Sequence, residues 1–325
     1  MKRLIPCLEQ DNVDIELILL IKTILTACKE ISFRVGQGAL SNVLGSTLDE
    51  NIQGETQKKL DIISNQLLKD MLLESGKVKT IASEEEDYVV SATEGAPYIV
   101  AFDPLDGSSN IDINGQIGTI FTVYRAKDDV SAGSELQFSQ KGTEQVCAGY
   151  VLYGPSTLLA LTTGGPSRLY TLDRTQGCYL VTTEQMDIPT ETQEFAVNMS
   201  NFNQWSSGFT HYIKDLLLGN EGVRAKKYNM RWNGAMVGDV HRILSRGGIF
   251  CYPNDIKKTE QPAKLRLLYE ANPLAMLVEN ANGKAFTEQE RILDIAPSHI
   301  HQRVAVIMGS TQEVDECLKY LKTGI

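Results

Sequence analysis

Residues 102–112 read Phe102-Asp103-Pro104-Leu105-Asp106-Gly107-Ser108-Ser109-Asn110-Ile111-Asp112 and close the short apolar run Tyr98–Phe102. A brief apolar run bounded by turn residues reads as a buried strand, so the polar residues begin where that strand leaves its sheet. Asp103 and Asp106 offer hard oxygen ligands of the kind Mg²⁺ takes at ~2.0–2.1 Å, alongside waters and phosphate oxygens. Gly107 lets backbone approach a ligand closely, and the following amides with Ser108 and Ser109 can cradle an anion. Asp-Gly alone is turn chemistry, because Asp, Gly, Ser and Asn all favour turns. The whole run, placed after a buried strand, reads as a site for a metal and a phosphate together. An EF-hand fails the count: from Asp103 the turn glycine would be Ser108, and from Asn110 the bidentate Glu would be Phe121.

A second acidic cluster, Ser83-Glu84-Glu85-Glu86-Asp87, ends another apolar run, Val78–Ala82. An acidic run is ordinarily a solvated loop. Here it ends one strand as Asp103 ends another, so the two clusters could meet at one sheet edge. Carboxylates converging there repel unless cations sit among them, which is the arrangement of a multi-metal phosphoryl-transfer site. Other catalytic signatures are missing. There is no GxxxxGK[ST] loop and no GxSxG elbow, and Gly36-Gln37-Gly38-Ala39-Leu40-Ser41 follows a helix instead of a strand. His211, His241, His299 and His301 show no metal-ligand spacing beyond His299-x-His301, which reads as a polar loop.

Around these clusters the pattern is mixed. Ile18, Ile21, Leu25 and Cys28 recur at helical steps and predict a helix over 14–34; Leu60, Ile63, Leu67 and Met71 predict another over 56–74, with Gly76 past its end. The stretch 39–55 lacks a sustained period and reads as loop. Strands are expected at Thr119–Tyr124, Cys147–Tyr153, Leu158–Thr163 and Leu169–Leu172. Later come helices at Trp205–Leu218 and Ala235–Ser245, strands Ile249–Tyr252 and Leu265–Tyr269, a helix opened by Asn272-Pro273, and a last helix over Gln312–Leu321. The change of pattern puts a boundary near 190: an N-terminal domain, 1–190, holding helices 14–34 and 56–74, the metal motifs and an effector-type region, and a C-terminal domain, 191–325. The fold class expected is mixed α/β (α+β).

Composition sets the outer limits. The chain has 325 residues, 42% hydrophobic and 22% charged, with a net charge of −10. That acidity argues against a nucleic-acid binder, because gripping phosphate backbones needs an excess of Lys and Arg. Leu17–Ile21 and Thr23–Cys28 are flanked and split by Glu16 and Lys22, short of the ~20 apolar residues of a membrane span. Pro6, Glu9 and Asp11 interrupt the apolar region that a signal peptide opened by Met1-Lys2-Arg3 would need. Cys7, Cys28, Cys147, Cys178, Cys251 and Cys317 lie far apart with no Cys-x-x-Cys, which fits neither a disulfide framework nor a zinc site and points to a cytoplasmic setting.

The run DPLDGSSNID at Asp103–Asp112 resembles the class I fructose-1,6-bisphosphatases; a shorter DPLDG marks the wider superfamily that includes inositol monophosphatases. Leu60-Asp61-Ile62-Ile63-Ser64-Asn65 and Ser83-Glu84-Glu85 are similar to the family's upstream acidic motifs. Arg231–Arg242, Gly247–Pro253 and Lys264–Pro273 are similar to its C-terminal ones, so colinear likeness runs over roughly residues 24–310. The resemblance implies a layered α-β-α-β-α sandwich of the sugar-phosphatase type, with the active site at the junction of the two domains. It implies Glu84, Asp103, Asp106, Glu270 and the carbonyl of Leu105 as ligands for Mg²⁺, two or more ions per subunit, with Mn²⁺ able to stand in. Asp61 and Glu85 match the acidic pair that handles the proton of the attacking water. Asp106, Gly107, Ser108 and Ser109 match the cradle of the 1-phosphate. Asn198, Tyr252 and Lys264 match positions holding the sugar and its 6-phosphate. Arg231 matches an arginine reaching a neighbouring subunit's 6-phosphate, which implies a homotetramer. Glu55 falls where the family places an acidic residue, usually Asp, in a mobile loop over the site.

The implied reaction is Mg²⁺-dependent hydrolysis of the 1-phosphate of fructose 1,6-bisphosphate by a metal-activated water, in gluconeogenesis. A sedoheptulose-1,7-bisphosphatase or dual-specificity enzyme is the near alternative. An inositol monophosphatase is disfavoured by Lys264 and Arg231, which imply a second phosphate. A catalytically dead metabolite or metal sensor is disfavoured by the intact acidic set. The sequence departs from the family's AMP-inhibited members at Asp14-Ile15-Glu16-Leu17, where they carry a Thr-Gly-Glu-Leu type loop, and at Pro97, where a basic residue is expected; Arg125 still matches. Weak, absent or differently built AMP inhibition is therefore expected. Trp232 stands for the usual Tyr beside Arg231, and Asn198-Met199-Ser200-Asn201 departs from a commoner Asn-Glu.

Overall fold

In the computed structural model, which describes residues 1–41, 45–50 and 56–324, Tyr98–Asp106 is a central strand whose nine residues are all buried. Its side chains alternate as a pleated strand requires. Tyr98, Val100 and Phe102 enter one hydrophobic cluster, and Ile99 and Ala101 enter another. A strand apolar on both faces needs cover on both sides, and that need generates the layers.

The helices are α1 (Leu4–Gln10), α2 (Ile15–Gln37), α3 (Lys59–Glu74), α4 (Ser207–Leu218), α5 (Met236–Arg246), α6 (Asn272–Glu279) and α7 (Thr311–Thr323). A hairpin of β1 (Ser46–Glu50) and β2 (Thr56–Lys58) stands apart from two sheets. The larger sheet uses β3 (Val78–Ser83), β4 (Val90–Ser91), β5 (Tyr98–Asp106), β6 (Ile117–Arg125), β7 (Gln145–Tyr153), β8 (Thr157–Thr162), β9 (Arg168–Asp173) and β10 (Cys178–Thr183). Its order is β10-β9-β8-β7-β6-β5-β3-β4, antiparallel except for the parallel pair β3/β5. The smaller sheet takes β11 (Glu194–Val197), β12 (Asn229–Met230) and β13 (Ile249–Tyr252). After β14 (Leu265–Arg266) it adds β15 (Lys284–Phe286) and, after β16 (Arg303–Val304), β17 (Val306–Gly309). Its order is β12-β11-β13-β17-β15, while β14 pairs with β16 alone.

Three clusters show the stacking. One joins α1, α2 and α3, through residues such as Leu8, Ile24 and Leu68, to Phe102, Phe121 and Val151 of the large sheet. The next joins the opposite face of that sheet, at Ile120, Tyr150 and Ala160, to α5 and α6 and then to Phe250 and Met308 of the small sheet. The third joins Val197, Ile249 and Ile307 on the far side of the small sheet to α4 and α7. The result is the five-layer α-β-α-β-α sandwich that the motifs imply. Burying a Leu, Ile or Phe side chain contributes about 1.5–3 kcal/mol, so each layer is held by many such groups. Among the described residues no helix is long and apolar enough to cross a membrane.

Several elements differ from the sequence reading. The stretch read as loop over 39–55 holds a 3₁₀ turn, Gly38–Ser41, and the strand β1. Its register is anchored from outside: Asp112 accepts from the Gly45 amide at 3.1 Å and pairs with Lys58 at 2.8 Å. An anchor so distant in sequence leaves no local period to read. The helix expected over 56–74 starts at Lys59, because Thr56–Lys58 is taken by β2 and Asp61 caps the helix by accepting from the Lys58 amide at 3.0 Å. The helix over 14–34 runs on to Gln37. Leu265–Tyr269, read as a strand, pairs only at Leu265–Arg266 and then winds into a π-helical turn, Leu267–Ala271. A short run buried on every side carries no period that separates strand from helix. Asn272 is consequently already helical and continues from that turn instead of capping α6. The short helix α1 and the edge strand β10 were missed; Pro6 is tolerated because it lies in the first turn of α1.

The outer helical layer is pinned by one buried acid. Glu313 of α7 is 2% exposed and accepts from Tyr212 Oη of α4 at 2.7 Å and Tyr228 Oη at 2.9 Å, with Arg224 bound through both terminal nitrogens. Glu313→Ala would leave a half-buried guanidinium and two hydroxyls without their acceptor. The expected loss is about 3–5 kcal/mol, as for breaking other buried pairs, read by urea unfolding followed through tryptophan fluorescence. A loss below about 1 kcal/mol would mean that water replaces the carboxylate at no cost.

Candidate active site

Parallel pairing of β3 with β5 sets Ser83 opposite Phe102, so the two strands end side by side. The Glu84 amide then donates to the Phe102 carbonyl at 3.2 Å, and Glu84 and Asp103 leave neighbouring strand ends together. This is the meeting of the two acidic clusters anticipated from their positions after apolar runs. A third element closes in from the other side: the π turn presents Glu270, whose carboxylate accepts from the Arg266 amide. Carboxylate oxygens of Asp103, Asp106 and Glu270, all buried, lie within 4.8 Å of one another.

Electrostatics follow from that crowding. Burial, and then the repulsion of Glu270, pushes the Glu84 carboxyl well above the usual range, against the pull of the Arg266 guanidinium. Burial and then Glu84 do the same to Asp103. Asp106 is pushed to about 8 by burial and by Glu270, moderated by the Val237 amide, which donates to its Oδ2 at 2.7 Å. Acids held in this way at neutral pH need compensating positive charge. The donors are hard oxygens with no thiol or imidazole among them, which suits a hard divalent cation.

The cluster lies on the wall of a cavity of about 540 Å³. Glu84, Asp103, Leu105, Asp106 and Glu270 line it, as do Gly107, Ser108 and Ser109, which follow Asp106 in the chain. Gly107 sits at φ +79° with its α-carbon against α5; an added Cβ would meet Ala235 Cβ at 2.3 Å. Only glycine satisfies both the left-handed backbone and that approach. Ser108 and Ser109 open a 3₁₀ turn, Ser108–Ile113, where amides have no acceptor within the turn.

Asn198, Tyr252 and Lys264 line the same cavity. Asn198 caps the turn after β11 by accepting from the Ser200 amide at 3.2 Å, and the Tyr252 hydroxyl lies 3.5 Å from Asn201 Nδ2. Lys264 is exposed at the rim. Three of the anticipated residues do not line this cavity. Asp61 is buried at the start of α3, Glu85 is half-buried in the loop beside Glu84, and Arg231 is exposed and donates to the Met230 carbonyl at 3.1 Å. Glu55 lies outside the described residues.

The sequence reading passed over Arg266, Lys58 and Trp232 as site residues. Arg266 is buried in the cavity wall and donates to the Lys264 carbonyl at 2.7 Å. The signal available was a charged residue inside the apolar run Leu265–Tyr269, where a buried arginine needs anionic company. Lys58 reaches the wall from β2. Trp232 stacks on Phe250 at 6.0 Å and 9° between planes and forms part of the apolar floor.

Comparison with known proteins agrees with this geometry. The family model described as fructose-1-6-bisphosphatase, N-terminal domain, matches residues 6–184, and its C-terminal counterpart matches 188–322. The chain belongs to the fructose-1,6-bisphosphatase family. A class 1 fructose-1,6-bisphosphatase of Cellvibrio japonicus is 67% identical over 321 residues, covering 99% of both chains. One from Colwellia psychrerythraea is 61% identical over 320 residues, covering 98% of this chain and 99% of the relative. The crystal structure of Leishmania major fructose-1,6-bisphosphatase in holo form superposes with a TM-score of 0.93 at 39% identity, covering 99% of each chain. A fructose-1,6-bisphosphatase requires a divalent cation, and the buried acids described above fit one.

The raised carboxyls make a signed prediction. Asp106 binds its proton more tightly folded than unfolded, so its stabilising contribution is full below about pH 4 and is lost as pH rises through about 8. His241, held near 4 by burial, has finished titrating well below that point. Between pH 7 and 8.5 the chelated protein should lose thermal stability, saturating Mg²⁺ should flatten the slope, and Asp106→Asn should reduce it. A chelated melting temperature that holds or rises over this interval would contradict the electrostatic account.

Proposed function

We propose that this chain removes the 1-phosphate of fructose 1,6-bisphosphate, using water, to give fructose 6-phosphate and inorganic phosphate. The observation that carries the reading is the convergence of Glu84, Asp103, Asp106 and Glu270, with Arg266 and Lys264, on one cavity beside the Gly107–Ser109 turn. Membership of the family supports it throughout.

Glu84, Asp103, Asp106, Glu270 and the Leu105 carbonyl would hold two or more Mg²⁺ ions, with Mn²⁺ an acceptable substitute. When bound, such ions supply charge neutralisation for the transferring phosphoryl group and the leaving oxygen, and ease deprotonation of water. The chain's own part is placement and proton handling. Asp106 and Gly107–Ser109 hold the 1-phosphate through backbone amides and hydroxyls. Asn198, Tyr252 and Lys264 hold the sugar and its 6-phosphate, with the lysine's mobile ammonium as a point charge at the rim. Asp61 and Glu85 take up a proton of the attacking water, and a proton returned from that pair through water lets the departing sugar oxygen leave as a hydroxyl. Glu55 belongs to a loop over the site in this reading.

Arg231 is exposed and does not line the cavity of its own chain. That supports a role at a neighbouring subunit's 6-phosphate and a homotetramer. We read 1–190 and 191–325 as the two domains, with the active site at their junction. Six free thiols fit a reducing, cytoplasmic setting, and family membership supports a place in gluconeogenesis.

Phosphate release from fructose 1,6-bisphosphate should depend on Mg²⁺ and fall by more than a hundredfold in Asp103→Asn, by loss of a cation-binding oxygen worth at least ~2.7 kcal/mol of barrier. Sedoheptulose 1,7-bisphosphate and inositol 1-phosphate run beside it. Preference for the first would move the pathway and keep the chemistry; release from none would leave an inactive sensor.

Regulation by AMP should be weak or absent. Asp14 caps α2 by accepting from the Glu16 amide at 3.0 Å, and its other oxygen takes Tyr98 Oη at 3.0 Å and Arg125 at 3.1 Å. A carboxylate thus already occupies the positive helix start and the matching arginine. Activity titrated with AMP should change little up to millimolar levels; inhibition at low micromolar AMP would overturn this.

A further inference from the structure

His301 joins two segments that carry opposite sides of the acidic cluster. Its Nε2 lies 3.0 Å from the Glu86 carbonyl oxygen, and its Nδ1 lies 2.8 Å from Tyr269 Oη. A carbonyl oxygen only accepts, so Nε2 carries a proton, and in the neutral ring Nδ1 accepts from the tyrosine hydroxyl. Burial, which holds the imidazole's pKa below the usual value, favours that neutral form. Tyr269 is fully buried and immediately precedes Glu270 in the π turn; Glu86 lies in the loop that carries Glu84 and Glu85.

The bridge continues to α3. Asn65 Nδ2 donates to Glu86 Oε1 at 2.8 Å, and Lys69 pairs with the same oxygen. Ser83 Oγ at the end of β3 donates to Asn65 Oδ1 at 2.7 Å. A continuous polar chain, Ser83–Asn65–Glu86–His301–Tyr269, so links the helix that bears Asp61, the loop that bears Glu84 and the turn that bears Glu270. Those acids repel one another, and without a tie the loop and the turn would relax apart whenever no cation sits between them. Holding them at a set spacing removes that reorganisation from the cost of binding an ion.

We propose that His301 is a positioning residue: by bridging the Glu86 carbonyl and the Tyr269 hydroxyl it sets the spacing of the Glu84 loop and the Glu270 turn, and with it the affinity for divalent cation. This rests on reading Glu84 and Glu270 as metal ligands. The two ring nitrogens are about as far apart as the nitrogen and oxygen of a glutamine amide, so His301→Gln retains one donor and one acceptor, while His301→Leu retains neither.

The test is Mn²⁺ binding to the full chain, read from the EPR signal of unbound ion, beside melting temperature and steady-state kinetics. His301→Leu should bind Mn²⁺ about tenfold more weakly. His301→Gln should stay within about threefold, and KM for fructose 1,6-bisphosphate at saturating metal should move by less than about twofold in either, as expected for a group that acts through the metal ligands. If the leucine variant does not fold, Tyr269→Phe removes one bond of the bridge and should weaken binding about threefold. Unchanged Mn²⁺ affinity in the leucine or phenylalanine variant, or equal damage in leucine and glutamine, would overturn the proposal. No Mn²⁺ uptake by the unaltered chain would overturn the metal reading itself, and the inference with it.

Discussion

Like charges crowded on one cavity wall repel, and the register of one pair of parallel strands decides that this protein has such charges together. With Ser83 opposite Phe102, Glu84 and Asp103 emerge side by side at the carboxyl ends of β3 and β5. A slip of one residue would turn every side chain of β5 to the other face, exchanging Tyr98, Val100 and Phe102 for Ile99 and Ala101 in the helical layer. Register is thus enforced by burial on both faces of the sheet, and the site inherits its geometry from the core. The acidic cluster is tolerable because that core cannot readily shift to relieve it.

The layers above and below supply what the sheet edge lacks. α5 begins where Asp106 needs a donor, and the Val237 amide at its start meets that carboxylate in the part of a helix where negative charge is favoured. The close contact of Gly107 with Ala235 draws the Gly107–Ser109 turn against the same helix start. The π turn before α6 brings Glu270 back toward β5, with Arg266 buried beside it. A regular strand over Leu265–Tyr269 would have carried Glu270 onward and away. The extra backbone slack of a π turn is the local departure that completes the cluster.

Much of this was legible from residues alone, and the limits have physical causes. The edge meeting of the acidic runs followed from each one ending an apolar strand. Elements with their own period, such as α2, α3 and β5 to β8, were recognisable because amphipathicity records which face is buried. The hairpin β1/β2 was not, because its anchors at Asp112 lie more than fifty residues away in sequence. Arg266 was missed because a cation within an apolar run is conspicuous only once its buried anionic neighbours are known. Asp61, beside the apolar stripe of its helix, turned out buried, where it accepts from the Lys58 amide at the helix start. The roles given to individual cavity residues came through family resemblance, and the fold adds their placement.

One regularity accounts for how the acids are oriented before any ion arrives. Asp103 Oδ1 accepts from the Leu105 amide at 2.9 Å, Asp106 Oδ2 from Val237, Glu270 from Arg266, and Asp61 from Lys58. In each case a backbone N–H, fixed by secondary structure, holds a carboxylate oxygen. Such bonds favour the ionised form; at Asp106 the Val237 amide pulls against burial and repulsion, which still leave that carboxyl raised to about 8. They also fix the direction of each carboxyl from the chain and not from the cation. A site organised in this way loses little freedom when an ion binds, because its ligands are already aimed. The same amides explain why the acids cannot simply turn away from one another, which leaves a bound proton or a cation as the means of relief.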